Sequence, residues 1–338
     1  MRIQARVYEL ELEVPFAIAR GTTAKHAIAI AEIEWNGVKG YGEASPSAYY
    51  GDSVEKAIEA IEGASEILGD DPFAIERIDR DLRQAFPESP SGRGAVEVAL
   101  YDLVGKIMRQ PLYRILGLAG IDPPMSSYTV GVEDVATAER LIGKLNQFPI
   151  LKVKLGFGDE LGLLELVSKR TRARLRADAN EGWQVGEAIE KINAYSKRFG
   201  IEFFEQPLPK TDLEGYRELR RATEATIIVD ESVTSCQDVI RWAQIVDGIN
   251  IKLMKSGGIV EALRMITAAR ASGLRVMLGC MVESSIGITA AAHIAPLVDF
   301  CDLDGNLLIT NDPFHGVKAS RGRLTLPSAP GLGVEPVA

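Results

Sequence analysis

Cysteine is scarce. The 338-residue chain has three, Cys236, Cys280 and Cys301, with no Cys-x-x-Cys spacing. An odd count without paired spacing excludes a disulfide framework and a zinc knuckle, and fits a reducing cytosol. An excess of positive charge is missing too. Lys and Arg total 38 against 47 Asp and Glu, a net charge of −9, and the basic residues are scattered. Nucleic acid and anionic lipid are poor partners for such a chain, because neutralising phosphates needs a basic face. There is no long apolar run. The most apolar stretch, residues 286–298, is 13 residues and contains His293 and Pro296; a bilayer-spanning helix needs ~20. Residues 1–14 carry charges throughout and lack the apolar centre of a signal peptide. The expectation is a cytoplasmic protein with no membrane partner.

What is present is ordinary globular material, 46% hydrophobic and 25% charged. That excludes a disordered or fibrous chain. The length suits two domains, or one large barrel with an addition.

Residues 1–120 read as an α+β unit. Residues 2–14 alternate as an exposed strand does, and strand-like runs at 27–35 and 38–43 are separated by Asn36-Gly37, a hairpin signal. Helical segments follow near 53–68, 72–86 and 93–109, with Ser53 and Asp71-Pro72 as expected starts. After Pro123-Pro124 short apolar runs alternate with amphipathic stretches. Runs beginning at 151, 174, 201, 226, 249, 275 and 300 start 23 to 27 residues apart. Adding 126–130 gives eight. That spacing is the period of a (β/α)8 barrel. An open doubly wound sheet usually has a Gly-rich turn after its first strand, and none is present. The predicted fold is therefore α/β: a modified (β/α)8 TIM barrel over 121–305 with an N-terminal α+β capping domain over 1–120. The tail, 306–338, packs back on the cap.

Barrel active sites are built at the carboxyl ends of the strands. The polar residues there are Lys152 and Lys154, Asp178, Glu205, Asp230 with Glu231 beside it, Lys252, and Asp302 and Asp304. Each has an ordinary reading. An aspartate after a strand often caps the next helix, and a strand-end lysine often reaches outward to solvent. The pattern outweighs these readings. Three consecutive strands each end in a carboxylate, and like charges converging on one mouth repel unless something positive sits among them. Oxygen ligands on rigid strands suit Mg2+. The second and sixth strands of an eight-stranded barrel are opposite, so Lys154 and Lys252 face each other. Two bases on opposite faces of a carbon beside a carboxylate imply removal of an α-proton on one face and its delivery on the other.

These residues resemble the enolase superfamily, muconate-lactonizing subgroup, over nearly the whole chain. The motifs are KVK (152–154), DAN (178–180), EQP (205–207), DES (230–232), NIKLMKSGG (250–258) and GCMVESSIGI (279–288). The resemblance implies that Asp178, Glu205 and Asp230 ligate Mg2+, with Asn180 and Glu231 behind them. It makes Lys154 and Lys252 the acid/base pair, with Lys255 as a rival to Lys252, and Lys152 a contact to the substrate carboxylate. DLD (302–304), IARGT (18–22) and MLGCMVES (277–284) are similar to segments of dipeptide epimerases of the L-Ala-D/L-Glu type. By that resemblance Asp302 and Asp304 bind the ammonium of a dipeptide. Thr129 and the backbone at Cys280 and Val282 line its site. Arg20 has two readings, a charge-assisted pairing with a glutamate side chain or a surface arginine that braces a loop. Two cap loops, residues 16–25 and 45–52, are expected to close over the second side chain, and the second offers Tyr49 and Tyr50 in place of a further arginine. Trp183 is expected in the core rather than in a site wall. The implied activity is Mg2+-dependent inversion of the C-terminal α-carbon of an L,L-dipeptide, L-Ala-L-Glu first, through an enediolate. Murein peptides would then be the physiological source, and a homo-oligomer the expected assembly. The alternatives are an N-acylamino-acid racemase, an o-succinylbenzoate synthase or a cycloisomerase of the same superfamily, and a non-catalytic metal- and peptide-binding barrel.

Overall fold

The structure, a computed structural model, describes residues 1–337. Three antiparallel strands open the chain in the order β1 (Arg2–Ile18), β2 (Gly21–Trp35) and β3 (Val38–Ala44). β2 and β3 turn at Asn36 and Gly37, both with positive φ, 49° and 78°. That is the two-residue hairpin geometry that Asn-Gly favours. The β1–β2 register breaks between Glu11 and Phe16, and pairing resumes at Phe16↔Thr23. The tip of this ribbon reaches the barrel, where the Ala17 amide donates to the Gly131 carbonyl at 2.9 Å.

β3 lies on the helix Pro90–Met108 with almost no space between them. A Cβ on Gly42 would fall 1.9 Å from the Ala95 carbonyl oxygen, so only glycine allows the approach. The helix starts three residues earlier than the predicted 93, with Ser89 capping the Gly92 amide and Pro90 in the first turn. Proline there loses nothing, since the first amides of a helix have no partner within it. Two other expected boundaries also shift. The segment 53–68 forms Val54–Gly63, capped by Ser53, and a separate turn Ser65–Leu68. Asp71-Pro72 is not a helix start. Asp71 instead accepts from the Phe73 amide in a turn, and the helix runs Ile75–Ala85.

Eight parallel strands follow in sequence order: β4 (Tyr128–Val130), β5 (Ile150–Lys154), β6 (Arg174–Asp178), β7 (Phe204–Glu205), β8 (Ile227–Val229), β9 (Gly248–Ile251), β10 (Arg275–Gly279) and β11 (Phe300–Asp302). Each pairs with its neighbours, and helices lie between, as the 23–27-residue period predicts. The seam between β4 and β11 is thin. It consists of a bridge at Ser126↔Cys301, the Ser127 amide on the Cys301 carbonyl at 3.1 Å, and side-chain bonds from the residues around them. The floor is closed by Phe203, Ile228 and Met277, with Arg176 held between the Phe203 and Phe300 rings. After β11 the chain returns to the cap. The Thr310 amide donates to the Glu11 carbonyl and the Leu332 amide to Asp102 Oδ1. Among the described residues no helix is long and apolar enough to cross a membrane.

Candidate active site

The register of the barrel brings the predicted residues to one level. Lys154 lies opposite Asp178, and Asp178 opposite Glu205. Asp230 follows β8 and Lys252 follows β9 directly. β5 and β9 are four apart in the ring, so Lys154 and Lys252 approach from opposite sides. Both line one cavity of about 230 Å3 between barrel and cap. Thr129, Lys152, Asn180, Asp230, Glu231, Cys280, Val282, Asp302, Asp304 and Arg20 line the same space. Asp178 and Glu205 lie just beneath and have no exposed surface.

The carboxylates are individually matched to lysines. Lys154 Nζ donates to Asp178 Oδ2 at 2.6 Å, and the Asn180 amide to Oδ1 at 3.0 Å. Glu205 accepts from Asn250 Nδ2 at 2.7 Å and Lys152 Nζ at 3.2 Å. Asp230 lies 2.6 Å from Lys252 through Oδ2 and 2.5 Å from Lys255 through Oδ1. Lys255 is also bound to the carbonyls of Asp230 and Asn250. It is buried and does not line the cavity, whereas Lys252 does.

Electrostatics follow from burial and these pairings. Burial, then Asp178 and Asp230, push the Glu205 carboxyl up to about 7. Burial acts in the same sense on Asp230, but Lys252 and Lys255 outweigh it and hold that carboxyl well below the usual range. Burial alone would lower Lys252; Asp230 and Glu205 instead hold it above the ordinary lysine value.

Among the described residues no three His, Cys, Asp or Glu side chains stand as a ready metal cluster. The donor set nevertheless fits a hard divalent cation. Three buried carboxylates stand at the ends of three consecutive strands, and one of them, Glu205, is pushed up to about 7 by burial and by the other two. Asn180 Oδ1 and Glu231 Oε2 beside them are buried with no hydrogen-bond donor. The ammonium groups of Lys154, Lys152 and Lys252 supply the positive charge that such a set requires.

The two aspartates of DLD are not equivalent. Asp302 forms an ion pair with Lys152 and accepts from Ser127 Oγ at 2.6 Å. Lys152 therefore bridges Glu205 and Asp302 rather than standing free. Among the described residues no lysine pairs with Asp304. It accepts from the Thr129 amide at 2.6 Å, and Cys280 Sγ is 3.9 Å from its other oxygen. Burial and Asp302 push its carboxyl up to about 7.

Arg20 fits the loop-brace reading. It lines the cavity, and its guanidinium is bound to Glu231 at 2.7 Å and the Asn180 carbonyl at 3.0 Å, and it lies 4.3 Å over the Tyr49 ring. It braces the cap loop onto the barrel. Asn180 Nδ2 donates to the same Glu231 oxygen at 3.1 Å. Tyr49 donates to Glu181 at 2.6 Å, while Tyr50 lines the cavity. Trp183 is core: it is buried, donates to Glu160 at 2.8 Å and packs near Tyr195 and Phe204. Phe16, Ile18 and Pro46, which lie in the two cap loops expected to close the site, form its cap-side wall together with His26. His26, on β2 beyond the first loop, was not anticipated, because no motif marks it.

A barrel with carboxylates on its third to fifth strands and opposed lysines on its second and sixth, closed by an antiparallel cap, places the chain in a known class. Residues 2–117 match the mandelate racemase / muconate lactonizing enzyme N-terminal domain, and residues 133–338 match the enolase C-terminal domain-like family. The chain belongs to the enolase superfamily. Among its relatives, an L-Ala-D/L-Glu epimerase of Bacteroides thetaiotaomicron is 39% identical over 97% of this chain and 86% of its own length. The substrate-liganded L-Ala-D/L-Glu epimerase of Bacillus subtilis superposes with a TM-score of 0.93 at 34% identity, covering 100% of this chain and 99% of that one. A dipeptide epimerase of Enterococcus faecalis, solved with Mg and L-Leu-L-Tyr, gives 0.92 at 34%, over 98% of each chain.

Proposed function

We propose that this chain is a Mg2+-dependent dipeptide epimerase that inverts the α-carbon of the C-terminal residue, with L-Ala-L-Glu and L-Ala-D-Glu as the reference pair. One observation carries the reading: two lysines face one cavity from opposite sides, and an aspartate without a counter-cation, Asp304, closes its other end. The lysines fit the two faces of a carbon, and Asp304 fits an ammonium two residues away. N-acylated substrates and cycloisomerase substrates have no ammonium and would leave Asp304 unused.

Asp178, Glu205 and Asp230 are the residues that would hold Mg2+, with Asn180 and Glu231 supporting them. Bound there, the ion supplies positive charge for the substrate carboxylate and for the negative charge that develops as the α-proton leaves. Lys154 and Lys252 take the proton on one face and return one on the other. A lysine accepts a proton only when neutral, and Asp230 holds Lys252 cationic in the pairing described. The base therefore becomes competent when its carboxylate partner is engaged elsewhere. Lys152 adds a cation near the substrate carboxylate and the enediolate. Asp304, with the Thr129 amide fixing its orientation, takes the ammonium; Asp302 contributes through Lys152. The backbone at Cys280 and Val282 borders the peptide. Arg20 closes the cap, and it is the cation that the cap contributes to the cavity lining, where a glutamate side chain could pair with it.

We divide the chain at 120 and 305 into cap, barrel and returning tail, and expect a homo-oligomer in the cytoplasm. The deciding experiment is proton NMR in D2O with Mg2+ and L-Ala-L-Glu. Loss of the C-terminal α-proton signal with appearance of the second diastereomer is expected. Bound metal and dipeptide without exchange would instead favour the non-catalytic barrel.

A further inference from the structure

His26 lies on β2 and lines the cavity from the cap side. Its Nε2 is 2.8 Å from Ser45 Oγ, and Ser45 Oγ is 2.8 Å from the Val282 carbonyl oxygen. A carbonyl only accepts, so the single Ser45 proton goes to Val282. Ser45 can then only accept from the ring, and the histidine proton sits on Nε2. Burial lowers the pKa of His26 from its usual value, so the ring is neutral near pH 7. Nδ1 is left as a bare lone pair, and among the described residues no group donates to it. Phe16, Ile18 and Pro46 beside it are apolar, while Thr23, Ser47 and Tyr50 bring hydroxyl groups to the same wall. Unlike a hydroxyl, which can turn to donate or accept, the Nδ1 lone pair only accepts, and a fixed acceptor is how pockets discriminate between ligands of similar shape.

The two charged ends of a dipeptide are taken up by the barrel, at the metal-binding carboxylates and at Asp304. What rises to the cap wall is a side chain. We propose that His26 determines specificity: its Nδ1 accepts a hydrogen bond from a donor on a dipeptide side chain. The site would thus favour a hydroxyl- or amide-bearing side chain over an isostere that lacks the donor. This inference rests on the epimerase reading above.

Matched isosteres test it. The purified full chain with Mg2+ is given L-Ala-L-Thr against L-Ala-L-Val, and L-Thr-L-Ala against L-Val-L-Ala, with kcat/KM measured for each. The threonine member is expected to be favoured by about fivefold or more at one of the two positions, the size of one neutral hydrogen bond. His26→Leu should bring that ratio to about one, and Ser45→Ala, which frees the ring to change tautomer, should reduce it. A ratio near one at both positions in the unmodified enzyme, or one that survives His26→Leu, overturns the proposal even if the variants fold poorly. No α-proton exchange with any of the four dipeptides or with L-Ala-L-Glu removes the epimerase reading, and this inference with it. Good turnover without a threonine preference removes this inference alone.

Discussion

Lys154 with Asp178 and Lys252 with Asp230 make two matched ion pairs, each 2.6 Å long, on opposite sides of one cavity. If each lysine serves one face of the α-carbon, removing either must stop epimerisation without stopping all proton exchange. Lys154→Ala and Lys252→Ala are each expected to lose about 10²–10⁴-fold in epimerisation, the usual contribution of a general base. Each variant should still exchange the α-proton of one epimer with D2O, and the two should retain opposite epimers; NMR from both starting diastereomers checks this. Asp304 carries a pH prediction. Its carboxyl stands at about 7, raised by burial and by Asp302, so it is protonated as the pH falls below that value. A protonated Asp304 has no charge for an ammonium, and kcat/KM should fall on the acid side of about pH 7. Asp304→Asn should be about 10–100-fold lower at pH 8, the worth of a charge-assisted hydrogen bond, and should lose that acid limb. At this scale the carboxylates and lysines were legible because each closes an apolar run, a purely local mark. The inequality of Asp302 and Asp304 was not, since it depends on where Lys152 points across the barrel.

Strand and helix signals were legible wherever they lie within a few residues of one another. The eight barrel runs follow from their spacing, and Asn36-Gly37 marks its turn. The helix expected from 93 starts three residues earlier, at Pro90, where Ser89 caps it. Asp71-Pro72 misleads because an aspartate that caps a helix and one that folds a local turn have the same sequence signature. The contact of β3 with the helix Pro90–Met108 cannot be read from either segment alone, and it is testable. Gly42→Ala places a methyl against the Ala95 carbonyl, so strand and helix must part. A loss of about 1–3 kcal/mol is expected, as for overpacked cores, seen as a lower Tm. Gly143→Ala, where nothing lies within 4 Å of the added carbon, serves as the control.

Across the whole molecule, cap and barrel meet at Glu181. It accepts from Tyr49 and from the Lys210 amide, both at 2.6 Å, and pairs with Arg20 at 3.4 Å. One side chain thus ties both cap loops to the loop after β6. Glu181→Gln should raise KM for the dipeptide by about three- to tenfold, as expected for loss of one charge-assisted contact. It should also speed proteolytic cleavage within residues 16–25 and 45–52, read by timed digestion. None of this coupling was visible in sequence, because Arg20, Tyr49 and Glu181 are far apart along the chain and their types are common on surfaces. The seam between β4 and β11 has a different consequence. The barrel wall is weakest there, and Asp304 anchors the Thr129 amide across it. An ammonium drawn to Asp304 would rivet the two edges together. Breathing of the barrel should therefore begin at residues 126–129 and 301–304, and amide hydrogens there should exchange quickly in the free protein and slowly once a dipeptide is bound. Occupancy of the site and mechanical closure of the wall would then be a single event.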